Sequence, residues 1–174
     1  MKILIIYSTT DGHTVEICRR LKSVIEQNTH QVTLVSIDDV ATIKLFEFDK
    51  IVIGASIRYG KHSQKIVDFI DHNLQLLDSK PNAFFSVNVV ARKPEKNQPH
   101  TNPYLIKFLK RISWKPKNLA VFAGKIDYPK YSFFDRVMIQ FIMWMTKGPT
   151  HPSTVIDYTD WQKVDEFGLV ISKM

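Results

Sequence analysis

The sequence predicts a doubly wound α/β fold, a five-stranded parallel sheet with helices on both faces and an insertion splitting the last strand. Three observations predict it. Short apolar runs alternate with longer stretches whose apolar residues recur at helical spacing, the rhythm of buried strands joined by crossover helices. Of six glycines, Gly12, Gly54, Gly60 and Gly124 fall at or just after predicted strand ends, where backbone turns tightly or approaches a ligand. The 174 residues amount to about one domain, and 44% hydrophobic against 24% charged residues is an ordinary globular balance. Residues 1–174 are therefore expected to form a single unit.

Lys2 to Tyr7 is a continuous apolar run with a sharp polar stop, which reads as a buried parallel strand. His13 to Asn28 carries Val15, Cys18, Leu21, Val24 and Ile25 at helical spacing. Strands follow at Gln31 to Val35 and Lys50 to Ala55. Ser63 to Leu77 places Ile66, Val67, Ile70, Leu74 and Leu77 on one helical face. Ala83 to Val89 is the fourth strand. Pro103 to Ile112 is a helix with proline in its first turn, where a missing N–H costs little. Leu119 to Ala123 is the fifth strand, and Trp161 to Ser172 the closing helix. Between them Lys125 to Ser153 breaks the rhythm, and Thr154 to Tyr158 reads as the last strand resumed after an insertion.

Lys and Arg total 24 against 17 Asp and Glu, a net charge of +7, which favours an anionic partner: nucleic acid, acidic lipid or a negatively charged ligand. Eight basic residues and one acid lie between Arg92 and Asn118. A lone cysteine, Cys18, excludes an internal disulfide and a four-cysteine metal site, and its place on an apolar helix face predicts a packed thiol. The six histidines lack paired ligand spacing, so no metal is expected. No apolar run reaches the ~18 residues of a spanning helix, and Ile3 to Ile6 is too short for a signal peptide's apolar region. A cytoplasmic chain, able to work against a membrane surface, is the expectation.

In an open parallel sheet, ligands bind beyond the carboxyl ends of the strands, where the winding reverses. The first such turn, Ser8, Thr9, Thr10, Asp11, Gly12, His13 and Thr14, packs hydroxyls and a glycine before a helix amino terminus. Free N–H groups and a partial positive charge there suit a phosphate. Helix capping is the plainer account, but capping needs one hydroxyl and the turn has four. There is no Gly-x-Gly-x-x-Gly and no Gly-Lys-Ser/Thr, which argues against a dinucleotide site and a P-loop.

Thr9-Thr10-Asp11-Gly12-His13-Thr14 resembles the flavodoxin phosphate loop, with Asp11 where that family has threonine. The resemblance implies a flavodoxin-like fold and FMN. By position it places the second and third flavin loops at Ser56, Ile57, Arg58, Tyr59 and Gly60, and at Ser86, Val87, Asn88, Val89, Ala91 and Arg92. A more specific likeness spans nearly the whole chain. Ser8 to Gly12, Ile53 to Gly60, Ser86 to Lys96 and Tyr158-Thr159-Asp160-Trp161 resemble the bacterial quinone-dependent protoporphyrinogen IX dehydrogenases of flavodoxin type. That implies oxidation of protoporphyrinogen IX in haem synthesis, with electrons passed to a membrane quinone.

With the substrate that this resemblance implies, Arg58, Arg92 and Lys93 are candidate substrate ligands, because a porphyrinogen carries two propionates and Arg binds carboxylates bidentately. Either arginine could instead sit beside the flavin. Tyr59 is either a ring against the flavin or an exposed loop tyrosine. His13 and His62 lie near the proposed site; His62 could accept a proton, but a solvated loop histidine is the expectation. The helix Phe133 to Met145 is apolar almost all round, with Lys130 and Lys147 beside it. It could pack in the core, anchor the chain to the inner membrane surface, line a pocket or form a dimer contact; the anchor is favoured, because a complete doubly wound domain leaves little core to enter. Two rivals remain: an NAD(P)H:quinone reductase of the same fold, and a basic nucleic-acid-binding module. On the leading reading no nucleic acid is expected as a partner.

Overall fold

The computed structural model describes residues 1–174. In chain order the elements are β1 (Lys2–Ser8), α1 (His13–Gln27), β2 (Gln31–Ser36), β3 (Lys50–Arg58), β4 (Lys61–His62), α2 (Gln64–His72), α3 (Leu74–Ser79), β5 (Asn82–Val87), α4 (Pro103–Arg111), β6 (Asn118–Phe122), β7 (Lys125–Asp127), α5 (Phe133–Met145), β8 (Val155–Asp157) and α6 (Trp161–Lys173). The central sheet runs β2-β1-β3-β5-β6, all parallel, with β4 added antiparallel beside the end of β3. Its winding reverses between β1 and β3, so the carboxyl ends of those two strands form the crevice.

The strands are continuous in apolar character because both faces are covered. Leu4, Ile6, Ile53, Phe84 and Val121 point to one side, where α2, α3 and α4 supply Ile66, Ile70, Leu77, Leu105 and Phe108. Ile3, Ile5, Val52, Phe85 and Phe122 point to the other, against Ile17 and Leu21 of α1 and Val164 and Phe167 of α6. Gly54 makes room in β3: a Cβ there would lie 2.1 Å from Phe85 Cζ. Lys50 is buried at the other end of β3, and its ammonium donates to the carbonyls of Ile171 (3.0 Å) and Ser172 (2.9 Å), closing the end of α6.

Several elements differ from the sequence reading. The expected helix Ser63 to Leu77 breaks at Asn73, whose side chain donates to the Phe69 carbonyl (2.8 Å) and so competes with the helical ladder. Thr154 to Tyr158 does not resume the central sheet. Val155 to Asp157 pairs antiparallel with Lys125 to Asp127 in a separate ribbon, so the last strand of the sheet is not split and ends at Phe122. The segment exposes Val155 and Asp157 and half-buries only Ile156, too little apolar surface for a strand covered on both faces. The hairpin to β4 was not anticipated: Tyr59 (φ 49°) and Gly60 (φ 74°) are both left-handed, the two-residue turn that matches strand twist.

Candidate functional site

Three loops leave the carboxyl ends of β1, β3 and β5 and meet under α5. From the first loop, Thr9, Thr10, Asp11, His13 and Thr14 line the cleft; from the second, Ser56, Ile57, Arg58, Tyr59 and Gly60; from the third, Val87, Asn88 and Val89. Tyr104 of α4, Gly124, Lys125 and Tyr131 close its sides, and Met138, Ile139, Ile142 and Met143 of α5 form its roof. Each strand end supplies a loop because a parallel sheet presents all its carboxyl ends on one edge.

At the start of α1, Gly12 adopts φ 85°, a conformation costly for any residue with a Cβ. Its N–H donates to Thr9 Oγ1 (3.0 Å), and no side chain caps the helix. Capping therefore does not account for the hydroxyls of this turn. Thr14 Oγ1 is buried and has no hydrogen-bond partner, in a structure where buried polar groups are normally paired. An unpartnered hydroxyl beside the free N–H groups of a fifteen-residue helix is a fitting cradle for a phosphate. His13 packs edge-on to Trp161, with Nε2 2.6 Å from Thr159 Oγ1 and Nδ1 3.2 Å from Glu16 Oε2.

The roof is clasped at both ends. Arg58 donates to Asp135 Oδ2 (2.8 Å) and to Asp11 Oδ2 (3.3 Å), and the Tyr59 hydroxyl donates to Asp135 Oδ1. That hydrogen bond from Tyr59 holds the Asp135 carboxyl below its ordinary range, while burial raises that of Asp11 against the pull of Arg58. At the far end Arg92 donates to the Thr146 carbonyl (3.2 Å) and hydroxyl (3.1 Å) and to the Val89 carbonyl (3.2 Å), a cation on the last turn of α5.

A buried polar chain fixes the third loop from below. His62 Nε2 lies 2.8 Å from Ser86 Oγ, Asn88 donates to the same oxygen (3.2 Å), and Asn102 donates to Asn88 Oδ1 (3.0 Å). Asn88 Oδ1 also accepts from the Ala91 N–H (3.1 Å), setting the turn of the loop. His62 is not the solvated loop residue expected. It is 6% exposed, with its ring 4.5 Å from that of Phe108 and 5.7 Å from that of Phe84, and burial pushes its pKa down to about 3.

Six residues singled out from the sequence lie outside the cleft lining. Ser8 sits at the end of β1 and Gly12 supplies the turn without lining the cleft; Ser86 is buried at the end of β5 and Ala91 within the third loop; Arg92 turns to α5; Lys93 follows it, half-buried. The sequence reading did not single out Tyr104 or Tyr131, and it left a pocket-lining α5 as one of several readings without saying which residues face inward. The apolar stripe of α5 was visible, but which side faces inward depends on the ribbon that carries it. Phe133, Phe134, Val137, Phe141, Trp144 and Met145 face outward, Phe133 being 75% and Trp144 70% exposed.

Comparison with known proteins agrees with this geometry. A family model described as a flavodoxin domain matches residues 4–153. A curated relative from Escherichia coli, named protoporphyrinogen IX dehydrogenase [quinone], is 41% identical over 174 residues, covering 100% of this chain and 96% of the relative. One of the same name from Leishmania major is 44% identical over 167 residues, covering 95% of this chain and 72% of the relative. Among solved structures, an archaeal flavodoxin superposes with a TM-score of 0.55 at 18% identity over 99% of this chain and 97% of its own. An oxidised flavodoxin from Bacillus cereus superposes at 0.53 and 17%, covering 99% and 98%. The chain belongs to the flavodoxin family, in the group that contains these curated dehydrogenases.

Proposed function

We propose that the cleft holds FMN and that the protein oxidises protoporphyrinogen IX to protoporphyrin IX, delivering the electrons to a membrane quinone. The observation that carries this reading is the phosphate cradle, an unpartnered Thr14 hydroxyl at an uncapped helix start, opening into a cleft roofed by an apolar helix. Thr9, Thr10 and Thr14, with the N–H groups of the loop, would take the phosphate. The second and third loops, Ser56 to Gly60 and Val87 to Val89, would flank the ring system. Bound FMN supplies a two-electron acceptor that can return electrons to a quinone; removing six hydrogens from a porphyrinogen takes three such turns.

The chain's own part is positioning and exclusion. Met138, Ile139, Ile142 and Met143 keep water from the reacting faces, and the Arg58 and Arg92 clasps hold that roof over the loops. Arg58 and Arg92 are thus better explained as clasps than as propionate ligands. No helix is long and apolar enough to cross a membrane. The outward face of α5, with Lys130 and Lys147 beside it, suits reversible attachment to an anionic leaflet, where a hydrophobic substrate and a quinone would both be met. Peripheral attachment at the cytoplasmic side of the inner membrane is the proposed location. Steady-state porphyrin fluorescence tests this reading. Protoporphyrinogen oxidation dependent on added quinone and on FMN content is expected; reduction of quinone by NADPH without porphyrinogen turnover would replace it with a quinone reductase.

A further inference from the structure

We infer that a cationic annex beside the cleft, formed by Lys61, Lys107 and Arg111, docks the carboxylates of the substrate. The annex is a separate depression of about 280 Å³ between the β4 hairpin and α4, floored by His62 and Phe108. Gly60 and Tyr104 line both it and the cleft, so a single turn and one ring divide them. A methyl group built on Gly60 would lie 3.6 Å from the Tyr104 ring, which shows how thin that wall is. Several water volumes of about 30 Å³ each would fill the space, enough for two carboxylates with part of their hydration.

Charge makes the assignment. No Asp or Glu lines the annex, and none of its three cations takes part in an ion pair; Arg111 only donates to the Gln64 amide oxygen. Inside the cleft Lys125 alone is a cation outside an ion pair. Arg58 is already shared between Asp11 and Asp135, and the roof is apolar. A porphyrinogen has an apolar macrocycle with both propionates on one edge. Its ring suits the cleft, whereas two carboxylates buried there would share Lys125 alone and would be disfavoured. The annex is the adjacent place where both can meet free cations while staying partly in water.

This inference rests on the proposed substrate, and its test separates the two. The FMN-loaded full chain is assayed in neutral detergent with protoporphyrinogen IX and with its dimethyl ester. The wild type should oxidise both, with a lower KM for the diacid. In the triple variant Lys61→Gln, Lys107→Gln, Arg111→Gln, the diacid KM should rise about tenfold to that of the ester, as the loss of two or three exposed ion pairs predicts. The ester KM, FMN content and melting temperature should not move. Lys107→Gln alone, on the exposed side of α4, should shift the diacid KM in the same direction by less. A triple variant that keeps its diacid preference, or loses both substrates equally, overturns the annex. So does a wild type without preference, or a preference that appears only when anionic vesicles are present, which would make the annex a lipid-headgroup site. A wild type that oxidises neither compound overturns the functional reading itself.

Discussion

His62 should make the protein measurably acid-sensitive. Its folded pKa is about 3 against an ordinary value of 6.5, because its ring is sealed between Phe84, Phe108 and Ser86. A depressed folded pKa means that the unfolded chain takes up the proton first. Stability from this group is complete above about pH 6.5 and is lost as pH falls toward 3. At pH 5 the unfolded imidazole is favoured by about 1.5 pH units, so the loss is about 2 kcal/mol relative to pH 7.5. The perturbation is His62→Gln, which keeps an amide able to bond Ser86 Oγ but cannot titrate. Urea unfolding of both proteins at pH 7.5 and pH 5 isolates the effect, because every other titrating group is common to the pair. The variant should be the less stable at pH 7.5, and the gap should narrow by about 2 kcal/mol at pH 5. Parallel losses in the two proteins would refute the reasoning.

Three further outcomes follow from the packing and the loops. Gly54→Ala should lower stability by about 1–3 kcal/mol in urea unfolding, since its Cβ would overlap the Phe85 ring in a sheet with no slack. Gly12→Val should purify with little FMN, read from the flavin spectrum, because φ 85° excludes a β-branched residue and the loop must re-form; full flavin content would remove the phosphate cradle from the account. Phe141→Asp with Trp144→Asp should abolish sedimentation with anionic liposomes while leaving the melting temperature unchanged, as both side chains are mostly in solvent. A large drop in melting temperature would instead put α5 in the core.

The parallel strands were legible because burial on both faces leaves runs such as Ile3 to Ile6 and Ile51 to Ile53 without polar interruption. The first loop was legible because its hydroxyls and glycine are contiguous. What escaped depends on contacts between distant segments. The β4 hairpin is only two residues, pinned by the left-handed Tyr59 and Gly60. His62 looks like a loop residue until Phe108, 46 positions on, closes over it. Arg92 follows a strand at the ligand edge, yet its partner Thr146 lies at the end of an inserted helix whose orientation is set by the β7–β8 ribbon. Local pattern finds elements and contiguous loops; it does not find where a long side chain is claimed by another segment.

In the proposed cycle one roofed flavin takes electrons from a porphyrinogen and yields them to a quinone. Anaerobic mixing of the FMN-loaded protein with one reactant at a time tests it most directly. Protoporphyrinogen IX should bleach the flavin absorbance with formation of porphyrin, a quinone added afterwards should restore it, and NADPH should leave it unchanged over the same interval. Bleaching by NADPH with none by protoporphyrinogen IX would contradict the account.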